Sequence, residues 1–342
     1  MLKNIIDKNN KNYCKVYKNN KLIWEKSNQE SNIEGYIICY SDAMSTIVYD
    51  NNLNKLSTNS ERILAIYPTN FNYFFVKKYG NSPYLYFAYI DDNGNLIIKD
   101  NKLLYGTTKS FKFFDIYSTG DRLYFTDNYT KFDHIKYIDL IDIDLINNSN
   151  YDQEYTSKEA DMIYLTNDTG DSITVESATY SDNYNVFSNN NSIVICNGGD
   201  GSKNIYEFNM DGSIKYIYKA PFNNCKSVFK SSNGDTFLTS YSGISNLTKN
   251  INATDKGDNV IRLAEDKNGN IINGSYILDT NLNKISTIGM SSNRAIRIND
   301  EKILIGSQTN GIGIYNSTTN TLEKKITDPD FSWVRCEYIK KV

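Results

Sequence analysis

Apolar residues along the chain either alternate with polar ones or stand in short runs, and pairs of Asn, Asp and Gly interrupt the runs. Alternation with a period of two is the pattern of β-strands, whereas a helix repeats its apolar positions every three or four residues. Short apolar runs bounded by turn residues also favour strands. The pattern therefore predicts an all-β protein.

A recurring unit organises these strands: an apolar and aromatic strand, a polar turn rich in Asn and Asp, and a second apolar strand. The residue before each turn marks its position, and successive markers stand 40, 48, 71, 70 and 37 residues apart. The clear copies span 47–57, 86–98, 204–218, 275–288 and 313–326, with a weaker copy at 134–145; the markers are Tyr49, Tyr89, Tyr137, Phe208, Leu278 and Tyr315. The two long gaps leave room for degenerate repeats around 161–177 and 236–250.

A period near forty is typical of a β-propeller, in which a four-stranded blade takes about 40–45 residues. An apolar strand also precedes several turn units, and we expect it to be an inner strand packed on both faces. These strands lie at 122–127, 191–197, 234–241 and 301–307. The spacing predicts about seven blades, with six or eight as alternatives. We expect the strand at 331–342 to pair with 36–41 and close the ring, which removes exposed edges.

The first thirty residues differ from the rest, which predicts an N-terminal unit at 1–30 followed by a propeller at 31–342. The segment 13–27 alternates as a β-hairpin around Asn19-Asn20, a pair suited to a tight turn. An isolated two-stranded hairpin is marginal, so its apolar side chains need a partner. Either the hairpin packs on the propeller, or it docks another protein. The docking residues in the second case are Val16, Tyr17, Leu22, Ile23 and Trp24.

The segment KVYKNNKLIWEK at 15–26 resembles the short segment VYKG-x-x-LVWE near the ends of many phage tail and baseplate proteins of Gram-positive hosts. An Asn- and Tyr-rich propeller after such a segment is similar to tail-associated proteins of clostridial phages and phage-tail-like bacteriocins. The match covers about a dozen residues, and Asn19 and Asn20 stand where glycine is commoner. The resemblance implies a structural component of a virion tail or tail-like contractile particle, in its baseplate or receptor-binding region. Its partners would be other tail proteins, with several copies per particle.

Charge and hydropathy exclude several other classes of protein. The 342 residues include 37 Lys+Arg and 40 Asp+Glu, a net charge of −3. Nucleic-acid binding needs a basic surplus, so we predict no nucleic-acid partner. The apolar runs are too short to span a bilayer. Residues 1–15 are too polar for the core of a secretory signal, which predicts synthesis in the cytoplasm. The resemblance to tail proteins implies assembly into a particle that lysis releases.

The sequence offers little for catalysis or metal binding. The single histidine, His134, is the only one available to a Ser-His-Asp or Cys-His arrangement, and no G-x-S-x-G motif accompanies it. Loops at 91–95, 211–213 and 266–270 imitate calcium ligands, but Asn-Gly and Asp-Gly pairs are also strong turn formers, and we interpret them as turns. We predict a non-enzymatic protein without metal or cofactor. The five scattered cysteines are expected to be buried thiols.

Aromatic residues in loops are the candidates for binding a surface ligand. Tyr79 and Tyr84 flank one loop, and Tyr129 and Phe132 lie in another, each beside amide side chains. Such loops suit sugar stacking or a protein hot spot, which predicts attachment to a host surface protein or glycan. A free-standing carbohydrate- or protein-binding bacterial propeller is the main alternative. A glycan-cleaving enzyme with two facing carboxylates is the third.

Overall fold

The structure is a computed structural model, and it describes most of the chain after residue 34. The described residues are 5–6, 12–13, 15–18, 21–25, 34–41, 45–80, 84–103, 114–126, 131–145, 160–176, 186–188, 192–196, 204–222, 225–240, 242–256, 260–307, 311–327 and 335–342. Every regular element among them is a β-strand, which confirms the all-β prediction. Within these ranges no helix has the length and apolarity needed to cross a membrane.

The chain divides into two compact units, residues 1–34 and residues 35–342. The first unit contains two antiparallel strand pairs: β1 (Ile5–Ile6) with β2 (Asn12–Tyr13), and β3 (Lys15–Lys18) with β4 (Lys21–Glu25). In the second pair Val16 stands opposite Trp24, and Lys18 stands opposite Lys21. The backbone pairing of this segment therefore follows the hairpin pattern of its sequence.

The second unit is a seven-bladed β-propeller, as the repeat spacing predicts, and each blade is one four-stranded antiparallel sheet. Blade 1 contains β5 (Gly35–Tyr40), β6 (Thr46–Asp50), β7 (Lys55–Asn59) and a strand from the end of the chain; blade 2 contains β8 (Ile63–Tyr67), β9 (Phe74–Lys78), β10 (Tyr86–Ile90) and β11 (Leu96–Lys102); blade 3 contains β12 (Phe114–Ser118), β13 (Arg122–Thr126), β15 (His134–Asp139) and β16 (Asp161–Tyr164); β14 (Lys131–Phe132) pairs separately with β17 (Val175–Glu176).

The remaining blades follow the same order of strands. Blade 4 contains β18 (Val186–Ser188), β19 (Ser192–Cys196), β20 (Asn204–Asn209) and β21 (Ile214–Lys219); blade 5 contains β22 (Cys225–Lys230), β23 (Thr236–Ser240), β24 (Ile244–Asn246) and β25 (Ile251–Ala253); blade 6 contains β26 (Ala264–Glu265), β27 (Ile271–Asn273), β28 (Tyr276–Leu278) and β29 (Lys284–Thr287); blade 7 contains β30 (Arg294–Arg297), β31 (Lys302–Ser307), β32 (Gly311–Asn316) and β33 (Thr321–Ile326).

The ring closes in blade 1, where β34 (Arg335–Lys340) pairs antiparallel with β5 and confirms the predicted closure. Cys336 stands opposite Cys39 in this pairing, and both are free, buried thiols, as predicted. Burial raises the pKa of Cys336 to about 12 and also raises that of Cys39. Both thiols are therefore protonated at neutral pH.

The turn units of the sequence form the third and fourth strands of blades 1, 2, 4, 6 and 7. The turns of blades 1, 2 and 6 share one geometry, shown by Asp50 and Asp91. Each carboxylate accepts hydrogen bonds from main-chain N–H groups two and four residues later, at 2.8–2.9 Å. The residue three positions after each Asp has a positive φ, Leu53 in the first turn and Gly94 in the second. Asp266 makes the same bonds, and Asp211 accepts from the main-chain N–H and hydroxyl of Ser213, so the calcium-like loops are turns that their carboxylates close.

Blade 3 departs from the predicted repeat. Residues 134–145 are not a hairpin, because β15 leads into a long connection and its partner strand β16 comes only at Asp161. The segment 161–177 is likewise not a separate repeat, since β16 completes blade 3 and β17 pairs with β14. The other long gap does contain a further repeat, because 236–250 includes β23 and β24 of blade 5.

Apolar side chains pack between neighbouring blades and form the core. Ile37 and Tyr49 of blade 1, for example, pack in one cluster with Leu304 and Ile314 of blade 7. Similar clusters join blades 2 and 3, 3 and 4, 4 and 5, 5 and 6, and 6 and 7. Each buried side chain of this kind contributes about 1.5–3 kcal/mol, so the blades stabilise one another through their faces.

Candidate functional site

A cavity of about 510 Å³ lies where the first strands of the blades converge. Its wall comes from the first strands of blades 2, 3, 5, 6 and 7 and the residues just beside them, near the carboxyl ends of several of these strands. The volume falls within the range of about 300–1,000 Å³ that small-ligand pockets occupy. The centre of the propeller is therefore a candidate binding site.

The antiparallel order of each blade decides which face the cavity occupies. Connections between strands one and two, and between three and four, leave one end of a blade, while the connection between two and three leaves the other. The wall includes Ser231 and Ser232, which open the first connection of blade 5, and Glu265, which precedes that of blade 6. The cavity thus lies toward the face that carries the carboxylate-closed turns.

A buried ion cluster lies directly beside this wall. Glu337, on the ring-closing strand β34, is completely buried, and Nη1 of Arg262 donates to its two carboxylate oxygens at 2.7 and 2.6 Å. Nη1 of Arg294 lies 3.7 Å from Oε1 of the same carboxylate. The main chains of Arg262 and Arg294 also pair across the boundary between blades 6 and 7. The cluster therefore connects three blades at the ring closure.

Arg262 is the member of this cluster that reaches the cavity. Its side chain is 35% exposed, whereas that of Arg294 is 3% exposed. The guanidinium is held by a buried carboxylate on one side and lines the cavity wall on the other. Fixing one edge of an arginine in this way holds its planar donor group in a defined orientation.

Glu265 forms the second oriented group of the wall. Its two carboxylate oxygens accept hydrogen bonds from the main-chain N–H of Ser232 at 2.7 Å and from the Ser232 hydroxyl at 2.8 Å. These bonds cross from blade 5 to blade 6 and hold the carboxylate in place. Each carboxylate oxygen can accept more than one hydrogen bond, so Glu265 can bind Ser232 and a further donor at once.

Lys230 also lines the wall, and it forms an ion pair with a second buried carboxylate, that of Glu207. Glu207 accepts hydrogen bonds from Lys230 at 2.8 Å, Lys215 at 3.2 Å and Tyr218 at 3.0 Å. Burial raises the pKa of Glu207, but its hydrogen bond and charge contact with Lys230, with help from the others, bring it below its ordinary value. Burial, followed by the charge of Glu207, raises the pKa of Tyr218 to about 12.

The aromatic loop residues predicted from the sequence lie elsewhere. Tyr79 follows β9 and is 51% exposed, with the Arg62 guanidinium 4.9 Å from its ring centre. Tyr84 precedes β10 and is half-buried. Both belong to the connection between strands two and three of blade 2, so they lie toward the face opposite the cavity.

The second predicted loop is only partly described. Phe132 belongs to β14, whose backbone pairs with β17, and Tyr129 lies outside the described residues. The five hairpin residues Val16, Tyr17, Leu22, Ile23 and Trp24 all lie on β3 and β4. His134 begins β15, where its Nδ1 lies 2.7 Å from Oδ1 of Asp133 and its ring centre 5.8 Å from that of Tyr164.

The sequence interpretation missed the charged residues of the cavity and its surroundings. One signal was present: Glu337 interrupts the strand Cys336–Ile339, and Glu207 interrupts Ile205–Phe208, both otherwise rich in apolar residues. A carboxylate at a position that the strand pattern assigns to the interior requires a buried partner. The position of Arg262, before a strand of two residues, carried no comparable signal.

No protein-family model and no curated protein sequence matches this chain. Among solved structures, apo AztD from Citrobacter koseri is similar over 86% of this chain and 82% of its own, with a TM-score of 0.49 at 10% identity. A crystal structure of a nidogen/laminin complex is similar over 89% of this chain and 97% of the matched chain, with a TM-score of 0.45 at 8% identity. The fold assignment stands on the strand pairing itself.

Proposed function

We propose that this chain is a non-catalytic structural and binding component of a phage tail or tail-like contractile particle. In this proposal the hairpin β3–β4 docks on neighbouring tail proteins, and the propeller presents its faces to another particle protein or to a host surface protein or glycan. A β-propeller fold suggests a binding or structural role. It provides many loops on one rigid scaffold, and several copies per particle convert weak contacts into avidity.

The observation that carries the proposal is the division of the chain. Residues 1–34 form their own compact unit, and the tail-like segment 15–26 coincides with the paired strands of that unit. A small compact unit of its own suits a docking element. The closed ring, in turn, needs no hairpin to complete its sheets, because β34 supplies the first strand of blade 1.

The proposal is non-catalytic because the charged groups of the cavity are engaged in structural contacts. Arg262 is bound by Glu337, Lys230 by Glu207, and Glu265 by Ser232. These contacts fix the wall and hold neighbouring blades together. Glycoside hydrolysis needs two facing carboxylates, and Glu265 is the one carboxylate among the described residues of the wall.

A pull-down from the lysate of a particle-producing culture tests the docking role. The bait is the full chain, compared with a Val16→Ser, Trp24→Ser double variant and with a Lys15→Ser, Glu25→Ser control, which changes another directly opposed pair of the same hairpin. We expect the full chain and the control to retain sheath, tube or baseplate proteins and the first variant to lose them. If the full chain retains none, the particle role is wrong.

A free-standing binding propeller is the second candidate, and the central cavity favours it. Under that alternative the protein would fractionate apart from purified particles and would still bind a ligand. Stable incorporation into purified particles would reject it. Turnover of a cell-wall or capsular polysaccharide that one carboxylate substitution abolishes would reject both binding roles.

A further inference from the structure

We propose that the central cavity binds a neutral saccharide of one or two sugar units. This inference goes beyond the docking role proposed above, and neither depends on the other. It rests on three properties of the cavity wall: its paired cations, its oriented donor and acceptor groups, and its aromatic surface.

The three cationic side chains of the wall each contact a carboxylate. Arg262 contacts Glu337, and Lys230 contacts Glu207. Arg297 donates to Asp300 at 2.9 Å. An organic anion would have to compete with these carboxylates and would also meet the charge of Glu265, whereas an uncharged ligand would leave the ion pairs intact. The paired cations therefore favour a neutral polar ligand over an organic anion.

Two oriented polar groups on one short stretch of chain supply the recognition chemistry. The guanidinium of Arg262 presents planar donors, and the carboxylate of Glu265, three residues later, presents acceptors. Sugar hydroxyl groups both donate and accept, and adjacent hydroxyls match the spacing of such planar groups. The buried carboxylate of Glu337 holds Arg262 and the backbone and hydroxyl of Ser232 hold Glu265 before a ligand arrives, which lowers the entropy cost of binding.

The apolar part of the wall suits the other face of a sugar ring. Tyr67, Tyr117 and Phe229 line the cavity together with Ile66 and Ile296. Aromatic and aliphatic surface packs against the C–H groups of a pyranose, while its hydroxyls turn to the polar side. The volume of about 510 Å³ accommodates one or two such rings.

The test is saturation-transfer NMR on the full-length protein with a fixed panel of sugars. The panel consists of glucose, galactose, mannose, rhamnose, N-acetylglucosamine, maltose, cellobiose and chitobiose, with acetate and phosphate as ionic probes. Glu265→Gln removes a charged acceptor and keeps the side chain's shape. Arg262→Lys keeps a charge for Glu337 but removes the planar donor group. Glu301→Gln, at the exposed last residue before β31, is the matched control.

We expect at least one sugar to bind, with the Kd raised about tenfold or more by Glu265→Gln and unchanged by Glu301→Gln. Arg262→Lys should weaken binding similarly, and Glu265→Gln keeps the test valid if the lysine variant folds poorly. No signal from any sugar of the panel would overturn the proposal. So would binding of acetate or phosphate in place of sugars, or sugar binding that Glu265→Gln leaves intact.

Discussion

Glu207 and Glu337 are both completely buried, yet they join the propeller in different ways. Among the described residues, the partners that donate to the Glu207 carboxylate lie within 29 residues of it, on blades 4 and 5. Arg262, in contrast, lies 75 residues from Glu337 and meets it only after β34 has entered blade 1. Glu207 therefore links two consecutive blades. Glu337 links the two ends of the ring and stabilises its closure.

The more buried partner of each carboxylate differs in its access to water. Arg294 beside Glu337 is 3% exposed and Lys230 beside Glu207 is 9% exposed, whereas the other partners, Arg262 and Lys215, are both 35% exposed. A buried charge that loses its carboxylate is costly, because it has lost its hydration without keeping a counter-charge. Equal burial of two carboxylates therefore does not imply an equal loss of stability on removal, since the burial of their partners also decides it.

The largest effect is expected from Glu337→Ala, which removes the carboxylate that Arg262 and Arg294 both approach. We expect a loss of about 3–5 kcal/mol in the free energy of unfolding, measured by urea denaturation. Glu301→Ala serves as the exposed control and should change stability by less than about 0.5 kcal/mol. Equal effects of the two substitutions would contradict the closure role of Glu337.

Glu207→Ala should cost less, about 2 kcal/mol, because Lys230, at 9% exposure, can regain more hydration than Arg294 at 3%. The same denaturation experiment ranks the two variants. A greater loss of unfolding free energy for Glu207→Ala than for Glu337→Ala would contradict the ranking of the two carboxylates.

The contribution of Glu207 should depend on pH. The pKa of Glu207 in the folded protein lies below its unfolded value of about 4.3, since its partners outweigh the effect of burial. Its stabilisation is therefore fully present above pH 4.3 and is lost as the pH falls through the folded pKa. We expect the stability gap between the wild type and Glu207→Gln to narrow between pH 5 and pH 3. A constant gap in unfolding free energy over that range would show that the carboxylate charge contributes nothing.

The smallest expected changes in unfolding free energy come from replacing the two lysines that contact Glu207. Lys230→Met should lower the free energy of unfolding by about 1–2 kcal/mol, since its ammonium donates at 2.8 Å from a largely buried position. Lys215→Met should change it by less than about 0.5 kcal/mol, since its contact is longer and more exposed. Thermal unfolding of the two variants side by side provides the measurement, and indistinguishable shifts would refute the ranking.

The sequence revealed the propeller because its outer hairpins carry a local signal. Asp50 and Asp91 close their own turns through bonds to residues two and four positions away, so the pattern lies within five residues. Ring closure was also predictable, because the strand around Cys336 is apolar and needs a paired edge. Blade 3 was misread because its third and fourth strands are far apart in sequence and no turn connects them directly.

The charged groups of the cavity could not be predicted in the same way. Arg262, Glu265 and Lys230 come from two blades and converge only through the radial arrangement of first strands. Glu337 stands out in its strand as a misplaced charge, but nothing local identifies Arg262 as its partner. Contacts over 75 residues depend on blade number and register, which short-range patterns do not encode.

The pairing of β34 with β5 has a consequence for how the protein is made. The ribosome finishes β5 at Tyr40 and reaches Arg335 only 295 residues later. At elongation rates of about 5–20 residues per second, blade 1 waits roughly 15–60 s for its missing strand. During that interval the edge of β5 is open to other nascent chains. Each molecule therefore passes through a period in which chaperone protection, or slower production at low temperature, decides how much of it reaches the closed state.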